Sequence, residues 1–288
     1  MMNSNKIYIN NELFYTVKRI KNRIIYVPCK KLKEKQQFFL NAIKWLYPYK
    51  TDTLTCAKIH AGKKWILKMD IKDFYNSVPY NQIQKILTPI YKKVGQADND
   101  GLLYIFLITL NGKLPTGAPT SSHIANACFK PIDNKILNIC SLYSVDYTRY
   151  VDDLTFSSYS KETLNIIEQK VESVLNFNGY KINKRKTKYI SRNKQQNILG
   201  LVVNDYKVRL SKDFKRKIRA MLHSYVIGKC NIALKAPKYL AAIDEKQLKG
   251  FISYIKHVDK AYYKKLKEYS YKLQQKYTVE IPFFKKAV

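Results

Sequence analysis

Three aspartates stand where ionised side chains rarely sit without help. Asp70 closes the apolar run Trp65-Ile66-Leu67-Lys68-Met69, and Asp152-Asp153 occupy the tip of a predicted strand–turn–strand. Burying or crowding carboxylates is unfavourable unless cations neutralise them. Oxygen-bound Mg2+ or Mn2+ is the usual solution, and two such ions about 3.5–4 Å apart can clamp an in-line phosphoryl displacement. Taken singly the acids have plainer readings. An Asp-Asp pair is commonly an exposed turn, and Asp70 with Asp73 fits a cap at a helix start.

The surrounding elements must hold these acids in place. Residues Phe14 to Pro28 alternate apolar and polar positions, which predicts a hairpin. Lys30 to Tyr47 carries Leu32, Phe38, Phe39, Ala42, Ile43 and Leu46 at helical spacing. Trp65 to Asp70 reads as a buried strand, followed by a helix near Asn81 to Ile90, the loop Gly95 to Gly101 and another apolar helix. Leu114-Pro115-Thr116-Gly117-Ala118-Pro119 is a turn feeding a helix over Ser121 to Leu142. Two strands span Val145 to Ser158, a helix spans Lys161 to Asn178, and short strands follow around Tyr189 to Val203. From Ser211 a helix sets Phe214, Ile218, Leu222 and Tyr225 against a basic stripe of Lys212, Arg216 and Arg219. Glu245 to Tyr277 is again helical, rich in Lys and Tyr.

Charge narrows the partners. The 288 residues hold 53 Lys and Arg against 21 Asp and Glu, a formal net charge of +32. An AT-rich genome would enrich Glu along with Lys, so the imbalance points to a polyanion, with nucleic acid ahead of an anionic membrane surface or acidic protein. A hydrophobic fraction of 46% excludes a disordered basic tail, and nine Gly and nine Pro exclude collagen-like or low-complexity chains. The longest apolar run, Leu102 to Leu110, is too short to span a bilayer. The polar start Met1-Met2-Asn3-Ser4-Asn5-Lys6 carries no signal core, so a cytoplasmic protein is expected. Cys29, Cys56, Cys128, Cys140 and Cys230 are scattered, as are the four histidines, which disfavours structural zinc and suggests reduced, buried thiols.

In chain order, Asp70-Ile71-Lys72-Asp73-Phe74-Tyr75, Leu114 to Ser121 and Tyr150-Val151-Asp152-Asp153 resemble the palm motifs of reverse transcriptases. Gly179-Tyr180-Lys181-Ile182-Asn183 with Lys186-Thr187 is similar to the next palm motif, and Asn197-Ile198-Leu199-Gly200-Leu201 to the primer-grip hairpin. The resemblance covers roughly residues 15–226. It implies an α+β right-hand polymerase fold: fingers over 1–66, a palm with an antiparallel sheet over 67–205 that carries inserted fingers helices at about 80–112, and a basic helical thumb over 206–288. It further implies that Asp70 and Asp152 bind two Mg2+ or Mn2+ ions, with Asp153 as neighbouring acid and the carbonyl of Ile71 as another ligand. Asp73, Phe74 and Tyr75 would lie at the nucleotide, Asp73 at the start of a helix facing the triphosphate. The Tyr75 ring would clash with a 2′-hydroxyl and so favour dNTPs. Gly117 would let backbone approach the nucleotide, beside Thr116 where Gln is most common. Lys186 would protonate pyrophosphate or balance its charge, and Arg23, helped by Lys18 or Arg19, would contact the triphosphate.

A chain this compact is expected to carry no RNase H, maturase or endonuclease domain, and this form resembles the bacterial retron enzymes. Cys56-Ala57-Lys58-Ile59-His60 is similar to the retron N-A-x-x-H segment, with Cys in place of Asn and with His60 on the nucleic-acid side; Val151 stands where Ala is frequent, and of the V-T-G element only Gly200 matches. A retron assignment implies a structured noncoding RNA as template and primer, initiation from a guanosine 2′-hydroxyl, branched multicopy single-stranded DNA as product, and anti-phage defence with a separate effector protein. Lys212, Arg216 and Arg219 would then grip nucleic acid, while Tyr262, Tyr263, Tyr269 and Tyr271 would stack on bases or pack in the helical core. Two other readings stand beside it: a related defence enzyme making untemplated or protein-primed DNA, and an RNA-binding scaffold with an idle palm.

Overall fold

The computed structural model describes residues 6–9, 12–20, 23–44, 52–94, 105–229 and 244–284. The expected loop Gly95 to Gly101, the start of the apolar run at Leu102, and Cys230 lie outside these residues.

Alternation near the N-terminus produces three antiparallel strands, β1 (Lys6–Ile9), β2 (Glu12–Ile20) and β3 (Arg23–Pro28), with β2 in the middle. The register runs from Tyr15 opposite Pro28 to Ile20 opposite Arg23, as the predicted hairpin requires. Pro28 ends the strand. The Cys29 thiol then accepts the Leu32 N–H at 3.4 Å and caps α1 (Lys30–Ile43). Leu32, Phe39, Leu40 and Ile43 face inward, whereas Phe38 points to solvent. At about 100° per residue Leu32, Phe39, Leu40 and Ile43 fall within an arc of about 100°, and Phe38 lies about 100° beyond its edge.

Two compact units follow from the contacts. The first comprises residues 1–52 and 64–190, the second 53–63 and 191–288. In chain order the next elements are α2 (Thr53–Ile59), β4 (Trp65–Asp70), α3 (Tyr80–Val94), α4 (Ser121–Leu142), β5 (Asp146–Tyr150), β6 (Asp153–Ser158), α5 (Lys161–Phe177) and β7 (Lys188–Ser191). Strands β5-β6-β4-β7 form one sheet, with β4 and β5 both antiparallel to β6. Ile66, Leu67, Met69, Leu154 and Phe156 of its central strands are fully buried. Helix α4 enters the same core with Ile124, Ala125, Phe129 and Ile132, and α5 with Leu164, Ile167, Val171 and Leu175. Ser160 caps α5 by accepting the Thr163 N–H.

The second unit holds α2, the small sheet β8 (Asn197–Ile198), β9 (Leu201–Val202) and β10 (Arg209–Leu210), and the helices α6 (Lys212–Lys229), α7 (Glu245–Val258) and α8 (Lys260–Tyr277). The single helical stretch expected over Glu245 to Tyr277 is broken at Asp259, which ends α7 and caps α8 by accepting the Tyr262 N–H at 2.9 Å. On α6 the apolar face is as predicted, with Ile218, Leu222 and Tyr225 buried and Lys212, Arg216 and Arg219 exposed.

Candidate active site

Sheet register brings the acids together. Asp70, the last residue of β4, pairs with Asp153, the first of β6. Tyr150 also pairs with Asp153, so Val151 and Asp152 form a two-residue turn. The Ile71 N–H donates to the Asp152 carbonyl at 3.0 Å and fastens that turn to the end of β4. Beyond it, Asn183 N–H donates to the Asp70 carbonyl and Lys72 N–H to the Lys181 carbonyl, each at 2.8 Å. These bonds occupy the carbonyls of Asp70, Asp152 and Lys181 and not that of Ile71.

An open cleft of about 530 Å³ lies over this junction, lined in part by Arg23, Asp70, Ile71, Tyr75, Asp152 and Lys186. Asp73, Phe74 and Thr116 also reach it, whereas Asp153 and Gly117 do not. Among the described residues no set of three or more His, Cys, Asp and Glu forms a ready metal cage. The cleft therefore presents three aspartates, Asp70, Asp73 and Asp152, with Asp153 one residue beyond Asp152 at the start of β6. Burial pushes the Asp152 carboxyl above its ordinary value, and the charges of Asp153 and Asp70 push it further, while Arg23 pulls it back. On Asp70, which is only 7% exposed, the Lys186 ammonium sits at 2.8 Å. Lys186 is thus placed as a counter-charge to the first acid, with half its side chain in solvent. Repelling, desolvated carboxylates beside an uncommitted carbonyl are a donor set that suits a hard divalent cation.

The cleft floor departs from expectation at Asp73. No helix begins there. Residues 72–77 form successive turns, Asp73 has φ +48°, and α3 starts only at Tyr80. Asp tolerates that left-handed conformation better than most residues. Phe74 is buried against Phe129 and Tyr180, so it supports the floor from the core. Tyr75 lies half in the cleft. Burial raises its phenol, a hydrogen bond with Ser122 opposes that, and Asp152 and Arg23 are close enough to influence it.

Gly117 needs the absence of a side chain because of its neighbours on β3. Its φ is +111°, and a Cβ would lie 2.7 Å from Ile25 Cγ2 and 2.8 Å from the Tyr26 carbonyl oxygen. The close approach is therefore to β3, which also donates from Tyr26 N–H to the Thr116 carbonyl at 2.8 Å. This contact carries Arg23, Ile24 and Tyr26 to the cleft.

Within the second unit, Lys212, Arg216 and Arg219 line an open groove of about 700 Å³ together with Arg209, Lys260 and Lys265. Arg219 stacks over Tyr269 at 4.7 Å, and Tyr262 is buried with its hydroxyl donating to the Lys215 carbonyl. His60 is fully buried in the turn after α2, away from any surface that nucleic acid can reach. The expected hairpin at Asn197 to Leu201 is present, turning through Leu199 and Gly200 at positive φ, with Gly200 N–H donating to Asn197 Oδ1. Sequence reasoning quoted Asn183 within a motif without giving it a role, and passed over Arg149. Asn183 lines the cleft. Arg149 is buried on β5 in phase with Val145 and Tyr147, and an Arg on the apolar phase of a strand is a legible signal.

Comparison with known proteins agrees with this geometry. A family model described as reverse transcriptase (RNA-dependent DNA polymerase) matches residues 15–203. The retron Ec83 reverse transcriptase of Escherichia coli is 30% identical over 224 residues, covering 74% of this chain and 68% of that protein. The retron Ec86 reverse transcriptase of Escherichia coli is 27% identical over 264 residues, covering 88% and 78%. Among solved structures, apo telomerase from Candida Tropicalis aligns with a TM-score of 0.53 at 13% identity, covering 93% of this chain and 58% of that one, a likeness of fold.

Proposed function

We propose, from the premise that this chain belongs to the reverse transcriptase family and within it to the retron-type enzymes, that its cleft copies a structured noncoding RNA into branched multicopy single-stranded DNA. The chain is an RNA-directed DNA polymerase with an α+β right-hand fold. In this reading residues 1–66 serve as fingers, 67–205 as palm and 206–288 as thumb.

The observation that carries the reading is the convergence of Arg23, Asp70, Tyr75, Asp152 and Lys186 on one cleft from four separate stretches of chain, Asp70 and Tyr75 sharing one. Asp70 and Asp152, with the Ile71 carbonyl and the nearby Asp153, would hold two divalent cations. Bound there, the ions would stabilise the attacking and leaving oxygens of nucleotidyl transfer. Arg23 and Lys186 would supply positive charge to the triphosphate, Lys186 from its place beside Asp70. Tyr75 sets a wall against a ribose 2′-hydroxyl. Priming from an RNA 2′-hydroxyl, a cytoplasmic setting and a defence role with an effector protein complete the proposal, supported by the similarity to retron enzymes.

The test is extension on an RNA template with dNTPs and Mg2+. Parent protein should incorporate templated nucleotides and Asp152→Asn should not. Parental activity in that variant, or products whose sequence ignores the template, would overturn the reading.

A further inference from the structure

The hairpin that presents Asp152 turns on only two residues, Val151 and Asp152. Such turns need positive φ at their first position, which Gly or Asn supplies readily. Here Val151 holds φ +59°. A β-branched residue in that region is strained, and surrounding contacts must over-determine it.

Those contacts come from Arg149. Its Nη1 donates to the Val151 carbonyl at 2.9 Å and to Asn126 Oδ1 at 2.6 Å. Its Nε and Nη2 grip the Asp133 carboxylate, at 2.9 Å to Oδ1 and 2.6 Å to Oδ2. The residue is 6% exposed, and the guanidinium lies 4.5 Å from the centre of the Phe129 ring. Asn126 and Asp133 both belong to α4, and Tyr147 on β5 donates a further hydrogen bond to Asp133. On the far side of the turn, Ile71 N–H holds the Asp152 carbonyl. Both carbonyls of the two-residue turn are thus fixed, one from α4 through a buried cation and one from the strand that ends in Asp70.

We propose that Arg149 is a positioning residue for the polymerase reaction: clamped by Asp133 and Asn126, it locks the strained Val151 peptide and so aims Asp152 into the cleft it shares with Asp70. This role rests on the polymerase reading of that cleft. Arginine is needed because its planar fork serves three acceptors in fixed directions; lysine keeps the charge but not the geometry.

Removing Arg149 alone would leave the part-buried Asp133 carboxylate without its cation and threaten folding. The test therefore pairs Arg149→Lys with the double variant Arg149→Met/Asp133→Leu, in which both charges leave together. Each is compared with the parent for thermal midpoint, template–primer affinity, kcat, KM for dNTP, and amide hydrogen exchange without metal. In both variants kcat should fall, by about 10²-fold in the double variant, the loss typical of a reacting group displaced by an ångström. Thermal midpoint and template–primer affinity should stay near parental, KM should change little, and the Asp152 and Asp153 amides should exchange faster. Parental kcat in either variant, unchanged exchange at those amides, or a kcat loss that only tracks the unfolded fraction would overturn the proposal. Asp152→Asn runs alongside. If it retains activity, the polymerase reading has failed; if it is dead while the Arg149 variants are not, only the positioning role has failed.

Discussion

Alanine at position 117 would bring a methyl group against Ile25 and the Tyr26 carbonyl in a backbone conformation that side chains avoid. The strand would have to shift, taking Arg23 and Tyr26 with it. We expect Gly117→Ala to lose about 1–3 kcal/mol of stability and to raise KM for dNTP more than it lowers kcat, measured by denaturant melts and steady-state kinetics. Tyr75 makes a different kind of prediction. Trimming it to alanine should shift the dNTP:NTP ratio of kcat/KM toward NTP by about 10–200-fold, the range available to a pocket wall; an unmoved ratio would remove Tyr75 from sugar selection. At this scale the sequence was most legible where side-chain type is the signal, as with Asp70, Asp152 and Tyr75. It was least legible where the partner is remote. Nothing around Gly117 announces that its neighbour is a strand some ninety residues earlier, and nothing around Asp73 reveals turns in place of a helix.

Asp259 shows why element boundaries escaped the pattern. Apolar spacing continues through it, with no Gly or Pro to mark a stop, yet the chain ends one helix and begins another there. The reason is tertiary: its carboxylate is buried and receives Lys215 Nζ at 2.8 Å and the N–H groups of Tyr262 and Leu210. Burial alone would raise this carboxyl, but Lys215 and the two backbone donors outweigh it and hold it below its ordinary value of 3.8. A depressed folded value gives stability that is present above 3.8 and is lost as pH falls through the folded value. Asp259→Asn keeps a capping oxygen but loses the ion pair. It should destabilise the protein by about 1–2 kcal/mol at pH 7, and the gap from the parent should close as urea melts are taken below pH 4. A constant gap would mean that the charge is irrelevant. Strands β4 and β6 and helix α4, by contrast, were readable almost to the residue, because burial pattern, turn chemistry and length agree there.

Taken whole, the molecule separates its charges by task. Three of the 21 acids meet at the sheet junction, while the second unit carries a groove of Lys and Arg on α6 and at the start of α8. Neutralising Lys212, Arg216 and Arg219 together should weaken RNA binding and flatten the plot of log affinity against log salt by about two to three units, since each phosphate contact contributes about 0.7–0.9. An unchanged slope would show that this groove does not meet phosphate. The fold class was legible because five short motifs occur in order. The basic helices were legible only as amphipathic and cationic, since residues 204–288 lie beyond the family match and carry no comparable signature.

The thiol that caps α1 also offers a chemical handle. Cys56, Cys128 and Cys140 are buried, and burial pushes the thiols of Cys128 and Cys140 up to about 12, which leaves them poor nucleophiles. Cys29 alone among the described cysteines is partly open to solvent. With Cys230 replaced by serine, a maleimide dye should therefore attach there first, one residue after the strand that carries Arg23 and Tyr26 to the cleft. Its emission would report on that strand as substrate arrives, and its attachment would remove the sulfur acceptor from the Leu32 N–H.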